Sequence, residues 1–261
     1  MTSVPNVAAN LAEAGRLVGE AAAQGAKLVV LPENFSFMGA QDADRAVARE
    51  AFGDGAAQRF LAETARRFGL WLVGGTIPIV DGAERAAQRS LLVGPDGTVA
   101  AYYDKIHLFD VDVPGKAERY AESASTVPGS RVVAANTDVG RIGMTICYDI
   151  RFPALFHRLS VLGTDILVVP AAFTVPTGEV HWLPLLKARA IESLAYVVAA
   201  GQCGEHDGGR KTYGHSLVIG PWGEVLAERP SGPGVVCVDL DMARLAELRQ
   251  RFPTVQHRRE L

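Results

Sequence analysis

The stretch GRIGMTICYDIRFP, residues 140–153, decides how the rest of the chain is read. An apolar run reaches a cysteine, and polar residues and a turn follow at once. The run has the composition of a buried strand, and FP marks the entry to the next element. Cys147 itself admits two readings. Free cysteine is among the most buried residue types, so within this stretch alone Cys147 reads as a small core residue. The other reading is a nucleophile held at the mouth of a site, and only the rest of the chain can decide between them.

Working outward, helical and strand periods alternate without a linker-like break. After Cys147 come a helix in FPALFHRLSVLG, a continuous apolar strand in TDILVVP, and a helix in EVHWLPLLKARAIESL with Pro184 in its first turn. Strands near AYVVAAGQC, GHSLVIGP, GEVLAER and GVVCVDL precede a closing helix from Asp241. Before Cys147, residues 6–24 form an Ala-rich amphipathic helix, AKLVVLP a short strand, and residues 42–68 a second helix. LWLVGGTIPIV reads as a strand whose Gly-Gly marks a bend or a close backbone approach. AAQRSLLVGP and TVAAYYDK are strands joined through the turn signal PDG. Residues 107–135 read as a long loop, and long loops inside compact domains are usually functional. Strands without polar alternation are buried on both faces, so helices must cover the outside. The fold class is α/β: one domain over residues 1–261, with two packed sheets and outer helix layers.

Composition narrows the function. The chain of 261 residues carries a net charge of -3 and no basic patch, which excludes a nucleic-acid partner. Its apolar runs are too short to span a bilayer, and residues 1–15 show no secretory signal. Three widely spread cysteines, Cys147, Cys203 and Cys237, argue against a disulfide framework or a cysteine metal site and suit a reducing cytoplasm. Cys203 and Cys237 read as core residues.

Three complementary side chains stand where a strand hands over to a loop: Glu33 after LVVLP, Lys105 after TVAAYYD, and Cys147 after IGMTI. Strand ends are where sites form in α/β sheets. A carboxylate near a thiol can take its proton, and a nearby lysine favours the thiolate and a developing oxyanion. Taken singly, Glu33 and Lys105 read better as solvated surface residues.

The blocks LVVLPENF, YDKIHLFD and IGMTICYDIRFP resemble the three signature blocks of the nitrilase superfamily, the carbon-nitrogen hydrolases, and the likeness continues through ILVVPAAF, TGEVHW, ARAIE and GHSLVIGPWGEVLAE. The resemblance implies a four-layer αββα sandwich and an amidase working through a cysteine thioester. Glu33 would be the general base, Lys105 the electrophilic stabiliser with a backbone N–H of Tyr148, Cys147 the nucleophile, and Glu122 a second glutamate beside the lysine. It implies no metal and no organic cofactor, a small-molecule amide substrate, and a homodimer or higher homo-oligomer. AAFTVPTGEVHW and the short GQCGEHDGGRKTYGHS look most like the branch acting on deaminated glutathione. The alternatives are an ω-amidase acting on 2-oxoglutaramate, another small-amide or nitrile hydrolase, and a non-catalytic ligand-binding member of the fold. Arg151 is the expected anchor for a substrate carboxylate, or else a structural ion pair. Arg210 and Lys211 are further cations with no assigned face. His181 and His215 allow a papain-like Cys-His pairing, which the resemblance disfavours. Asp104 and Asp110 are expected to shape the lysine loop. Relatives begin with a short apolar strand ahead of the equivalent of Met1, so the first strand of the fold is expected to be missing here, leaving an unpaired edge and an apolar gap.

Overall fold

The computed structural model describes residues 1–80, 85–113 and 119–259. Helix α1 (Val7–Ala23) starts where the Asn6 side chain accepts the Ala9 N–H at 3.0 Å, and it buries a stripe of Ala14, Leu17, Val18 and Ala21. The expected single helix over 42–68 is instead three pieces. A 3₁₀ segment (Asp42–Ala48) leads into strand β2 (Glu50–Ala51), and helix α2 (Ala56–Phe68) begins only afterwards. The break has a local cause. The chain turns at Gly53, with φ of 87°, and the Glu50 carboxylate caps α2 by accepting the N–H groups of Ala57 at 2.7 Å and Gln58 at 3.3 Å.

The first sheet contains β1 (Leu28–Val30), β2, β3 (Trp71–Val73), β4 (Ile77–Val80), β5 (Ala87–Val93) and β6 (Val99–Asp104). β5 is its centre, flanked by β6 on one edge and by β3 and β4 in succession on the other. The turn from β3 to β4 is the Gly74–Gly75 step. Gly75 has φ of 44°, and a Cβ there would stand 2.0 Å from the Pro32 carbonyl oxygen. The glycine pair is therefore both a bend and a close approach. A hairpin of β7 (Asp110–Asp112) and β8 (Arg119–Ala121) occupies part of the expected 107–135 loop, of which residues 114–118 lie outside the described residues.

The second sheet uses β9 (Ala134–Thr137), β10 (Gly140–Met144), β11 (Ile166–Ala171) and β12 (Tyr196–Gly201). A small hairpin, β13 (Cys203–Glu205) with β14 (Lys211–Tyr213), then precedes β15 (Ser216–Ile219) and β16 (Val225–Arg229), which complete the order β16-β15-β12-β11-β10-β9. The β10–β11–β12 core is parallel. Alternate residues sort between layers. Val73 and Leu92 join Ile142, Met144 and Val168 in the core between the sheets, while Leu72, Leu91 and Val93 pack with Leu17 and Leu61 under α1 and α2. Helices α3 (Pro153–Val161) and α4 (Leu183–Ser193), the latter with Pro184 in its first turn, contribute Phe156, Leu159 and Leu186 to the core cluster that includes the second sheet. Helix α5 (Met242–Arg251) closes the chain. Two-sided burial is why these strands read as continuous apolar runs.

Two expectations need correction. Residues 235–240 of GVVCVDL form no strand, and Cys237 is exposed, not core. These residues run beside a cavity of about 710 Å³ whose opposite wall is β1, and β1 pairs with β3 alone among the described residues. With no neighbouring strand to bond, residues 235–240 lack ladder partners. Also, β10 ends at Met144, so Cys147 does not end the strand but opens a 3₁₀ turn (Cys147–Arg151).

Candidate active site

Glu33 lies three residues past β1, Lys105 directly past β6, and Cys147 three past β10, so both sheets aim residues at one place. Each is held by backbone devices. Cys147 has φ of 45°, a left-handed conformation uncommon for a non-glycine residue. The buried Asp149 carboxylate organises that bend by accepting the N–H groups of Ile146 at 2.9 Å and His107 at 3.1 Å, the Tyr103 hydroxyl at 2.8 Å and the His107 ring at 2.7 Å. Asn34, next to Glu33, is also left-handed with φ of 57°, and its N–H donates to Thr76 Oγ1 at 2.8 Å. Gln202 Nε2 donates to the Glu33 carbonyl at 3.1 Å.

The side chains then converge. Lys105 Nζ donates to Glu33 Oε1 at 2.7 Å and to Glu122 Oε2 at 2.8 Å. Glu33 Oε2 accepts the Ala172 N–H at 2.8 Å, and Cys147 shares the pocket wall with the Glu33 carboxylate. Glu122 also accepts the Phe109 N–H at 2.8 Å and faces Arg45 Nη1 at 3.4 Å. All of these ionisable side chains are buried.

Burial and charge set the protonation states. Burial alone would raise the Glu33 carboxyl, but the adjacent Lys105 charge and hydrogen bond outweigh it and hold Glu33 below the usual range. Burial would likewise lower Lys105, and Glu122 with Glu33 push it up instead. For Cys147 burial and the Glu33 charge act together and push the thiol well up, against a smaller opposing effect of Lys105. Lys105 favours the thiolate, as expected, but burial and the Glu33 charge outweigh it. The site at rest is a carboxylate, an ammonium and a neutral thiol, poised for the proton to move only as sulfur attacks.

The enclosed space beside these groups is small, about 20 Å³, room for one water molecule. Its wall includes Tyr148, Phe173, Asp42, Arg45 and Arg210 besides the four residues already named. Arg151 does not line it. Its guanidinium lies over the rings of Tyr148 and Phe173, at 5.7 and 5.2 Å, and faces His181 Nδ1 at 3.2 Å. Lys211 turns away to Glu205, and His215 pairs with Glu228, so neither histidine is part of this wall. Asp104 grips Arg89 through two bonds of 2.7 and 2.9 Å, and Asp110 accepts the Ser123 N–H; both shape the lysine loop. Sequence reasoning missed Asp42, Arg45, Asp149 and Gln202. Asp149 had a signal, an acid three residues past Ile146, where a side chain reaches back to cap a turn. Asp42 and Arg45 carry no signal beyond an i,i+3 spacing that any surface pair can have. Among the described residues no group of three or more His, Cys, Asp or Glu side chains is arranged to hold a metal, and no helix is long and apolar enough to cross a membrane.

The carbon-nitrogen hydrolase family model matches residues 1–250. The chain belongs to that family. Its layered sheets and helices are the nitrilase-type αββα sandwich, and a carbon-nitrogen hydrolase is an enzyme. Among curated relatives, a deaminated glutathione amidase from Synechocystis sp. is 42% identical over 99% of this chain and 95% of its own length. The omega-amidase NIT2 of Danio rerio is 41% identical over 96% of this chain and 89% of its own. Among solved structures, the C. elegans NitFhit protein superposes with a TM-score of 0.87 at 35% identity, covering 99% of this chain; the hydrolase spans 63% of that chain.

Proposed function

We propose that this hydrolase cleaves the amide of deaminated glutathione, giving 2-oxoglutarate and cysteinylglycine. The observation that carries a thioester mechanism is the buried Glu33–Lys105–Glu122 set closing on a neutral Cys147 thiol. The full-length likeness to the Synechocystis amidase supports the substrate. In the first half-reaction Cys147 Sγ attacks the amide carbon while its proton passes to Glu33. The Lys105 ammonium and the Tyr148 N–H, in the first turn after Cys147, receive the oxyanion. Glu33 then gives the proton to the departing amine. In the second half-reaction Glu33 takes a proton from water as that water attacks the thioester carbon, and returns it to the Cys147 sulfur as the C–S bond breaks and the acid is freed. Glu122 fixes the ammonium against the Phe109 backbone. Tyr148 walls the pocket, and Arg151, half-buried behind that ring, meets the carboxylate of the leaving dipeptide at the mouth. The reading keeps one hydrolase domain over residues 1–261, in the cytoplasm, where free cysteines are at home. It also keeps a homodimer or higher oligomer, supported by the exposed Ile191, Trp222 and Phe252 on the outer layer.

The test compares deaminated glutathione, 2-oxoglutaramate, a nitrile and a neutral amide, with intact-mass detection of the acyl-enzyme. Deaminated glutathione should have the highest kcat/KM, since its larger leaving group offers more binding contacts. A faster 2-oxoglutaramate would make this an ω-amidase. Cys147→Ala should lose at least about 10³-fold in kcat and the acyl adduct while keeping its melting temperature within a few degrees. Residual hydrolysis near the wild-type rate would refute the thioester.

A further inference from the structure

Six ionisable side chains of the pocket form one line of alternating charge. From Glu33 it runs to Lys105 (2.7 Å), Glu122 (2.8 Å), Arg45 (3.4 Å), Asp42 (2.7 Å) and finally Arg210 (3.1 Å). The formal charges sum to zero, but they are not evenly shared. Lys105 and Arg45 each stand between two carboxylates. Among the described residues Arg210, at the end, has Asp42 alone, and it shares the same Oδ1 atom with Arg45. Its Nε is buried with no hydrogen-bond partner among the described residues. A guanidinium stays charged in a protein, so this end of the line is a cation with a desolvated, unused donor.

The fold holds that cation against the pocket. Arg210 sits in the tip of the β13–β14 hairpin, where its carbonyl accepts the His206 N–H at 2.8 Å, and its guanidinium lies 5.2 Å over the Tyr120 ring. It shares the pocket wall with Cys147, whereas Arg151 does not. In a thioester reaction the acyl half stays bonded to Cys147 while the amine leaves, and since the resting space holds one water, the acyl chain has to part the side chains of that wall. A cation in the wall therefore faces the acyl half. We propose that Arg210 is the specificity residue for a carboxylate at the far end of the acyl half, which would add a seventh charge in alternating order. The preferred substrates are then amides of dicarboxylic acids. Asp42 and Arg45 are positioning residues that set how much of the Arg210 charge is free. This rests on the amidase reading for which half of the substrate faces Arg210, but its test does not require deaminated glutathione to be the substrate.

Binding of 2-oxoglutarate to the full chain is measured by calorimetry, beside hydrolysis of glutaric acid monoamide and the neutral butyramide. Arg210→Gln should weaken 2-oxoglutarate at least about 10-fold, the loss expected for a charge-assisted pair. It should raise KM for the acidic amide by a similar factor and by at least about fivefold more than for butyramide. Arg210→Lys should fall between, because the forked donor set is lost and the charge is kept. Asp42→Asn gives the opposite sign: with its carboxylate competitor gone, Arg210 should bind 2-oxoglutarate more tightly, whereas a merely structural role for the line would weaken it. Equal losses on acidic and neutral amides, a weaker Asp42→Asn, or no binding of 2-oxoglutarate to the wild type would overturn the proposal. Failure to turn over deaminated glutathione with these binding changes intact would instead overturn only the substrate reading.

Discussion

At the residue scale the site depends on keeping the Cys147 proton in place until it is needed. The thiol is buried beside a carboxylate, and both effects favour the neutral form. Glu33→Gln removes the negative charge but leaves the Lys105 ammonium. The thiol should then titrate at lower pH, seen as an earlier rise in thiolate absorbance, while turnover falls at least about 10²-fold for want of a base. If the thiol titration did not move, or moved up, the assignment of Glu33 as the group suppressing the thiolate would be wrong. The residue types Glu33, Lys105 and Cys147 were legible because each follows an apolar strand. Asp149 and Gln202 were not, since their role lies in which backbone groups they bond. Nothing in the letters shows that a glutamine 169 positions away donates to the Glu33 carbonyl.

At the element scale, long apolar segments were legible and short irregular ones were not. The strands β11 and β12 follow from continuous apolar composition, because both sheet faces are covered. The 3₁₀ segment of Asp42–Ala48 and the β13–β14 hairpin carry no such signal, being three to seven residues long and largely polar. These two pieces bring Asp42, Arg45 and Arg210 to the pocket. The hairpin is tied to the start of the chain through buried His206. Because the Ser3 carbonyl can only accept, His206 Nδ1 carries the proton and Nε2 accepts from Thr212 Oγ1, at 2.8 and 2.7 Å. Burial holds this imidazole below its ordinary value of 6.5, against the Ser3 bond. In the folded chain it stays neutral where the unfolded chain takes up a proton. Its stabilising contribution is therefore full above about pH 6.5 and is lost as pH falls through the lower folded value. Melting temperature should drop more between about pH 7.5 and 5.5 for the wild type than for His206→Gln. Parallel pH profiles for the two would show that His206 is not part of the acid response.

At the scale of the whole molecule, the unusual feature is the gap between the β1 edge of the first sheet and residues 234–240. Its walls are residues 27–32, which contain β1, and residues 234–240, with Leu17, Val198 and Leu217 among the side chains around them. A volume of about 710 Å³ is far larger than the voids a packed interior tolerates. One wall offers the backbone edge of β1, and the other an extended run without ladder bonds. A strand between them would satisfy both and fill the space with side chains on two faces. Met1 is buried and lines the gap, so a segment joined ahead of it enters directly. Fusing about eight apolar, β-branched residues there, an ordinary strand length, should raise the melting temperature. If the new strand contributes about 2–4 kcal/mol, the rise for a chain of this size is about 4–12 °C. Amide exchange at Leu28–Val30 and at residues 235–238 should slow together, because one strand would bond to both walls. None of Glu33, Lys105, Glu122 and Cys147 lines the gap, so kcat should stay within about twofold, well under the tenfold that 1.4 kcal/mol would produce. A fusion that melted no higher and left exchange unchanged at both walls would mean that the gap does not accept a strand.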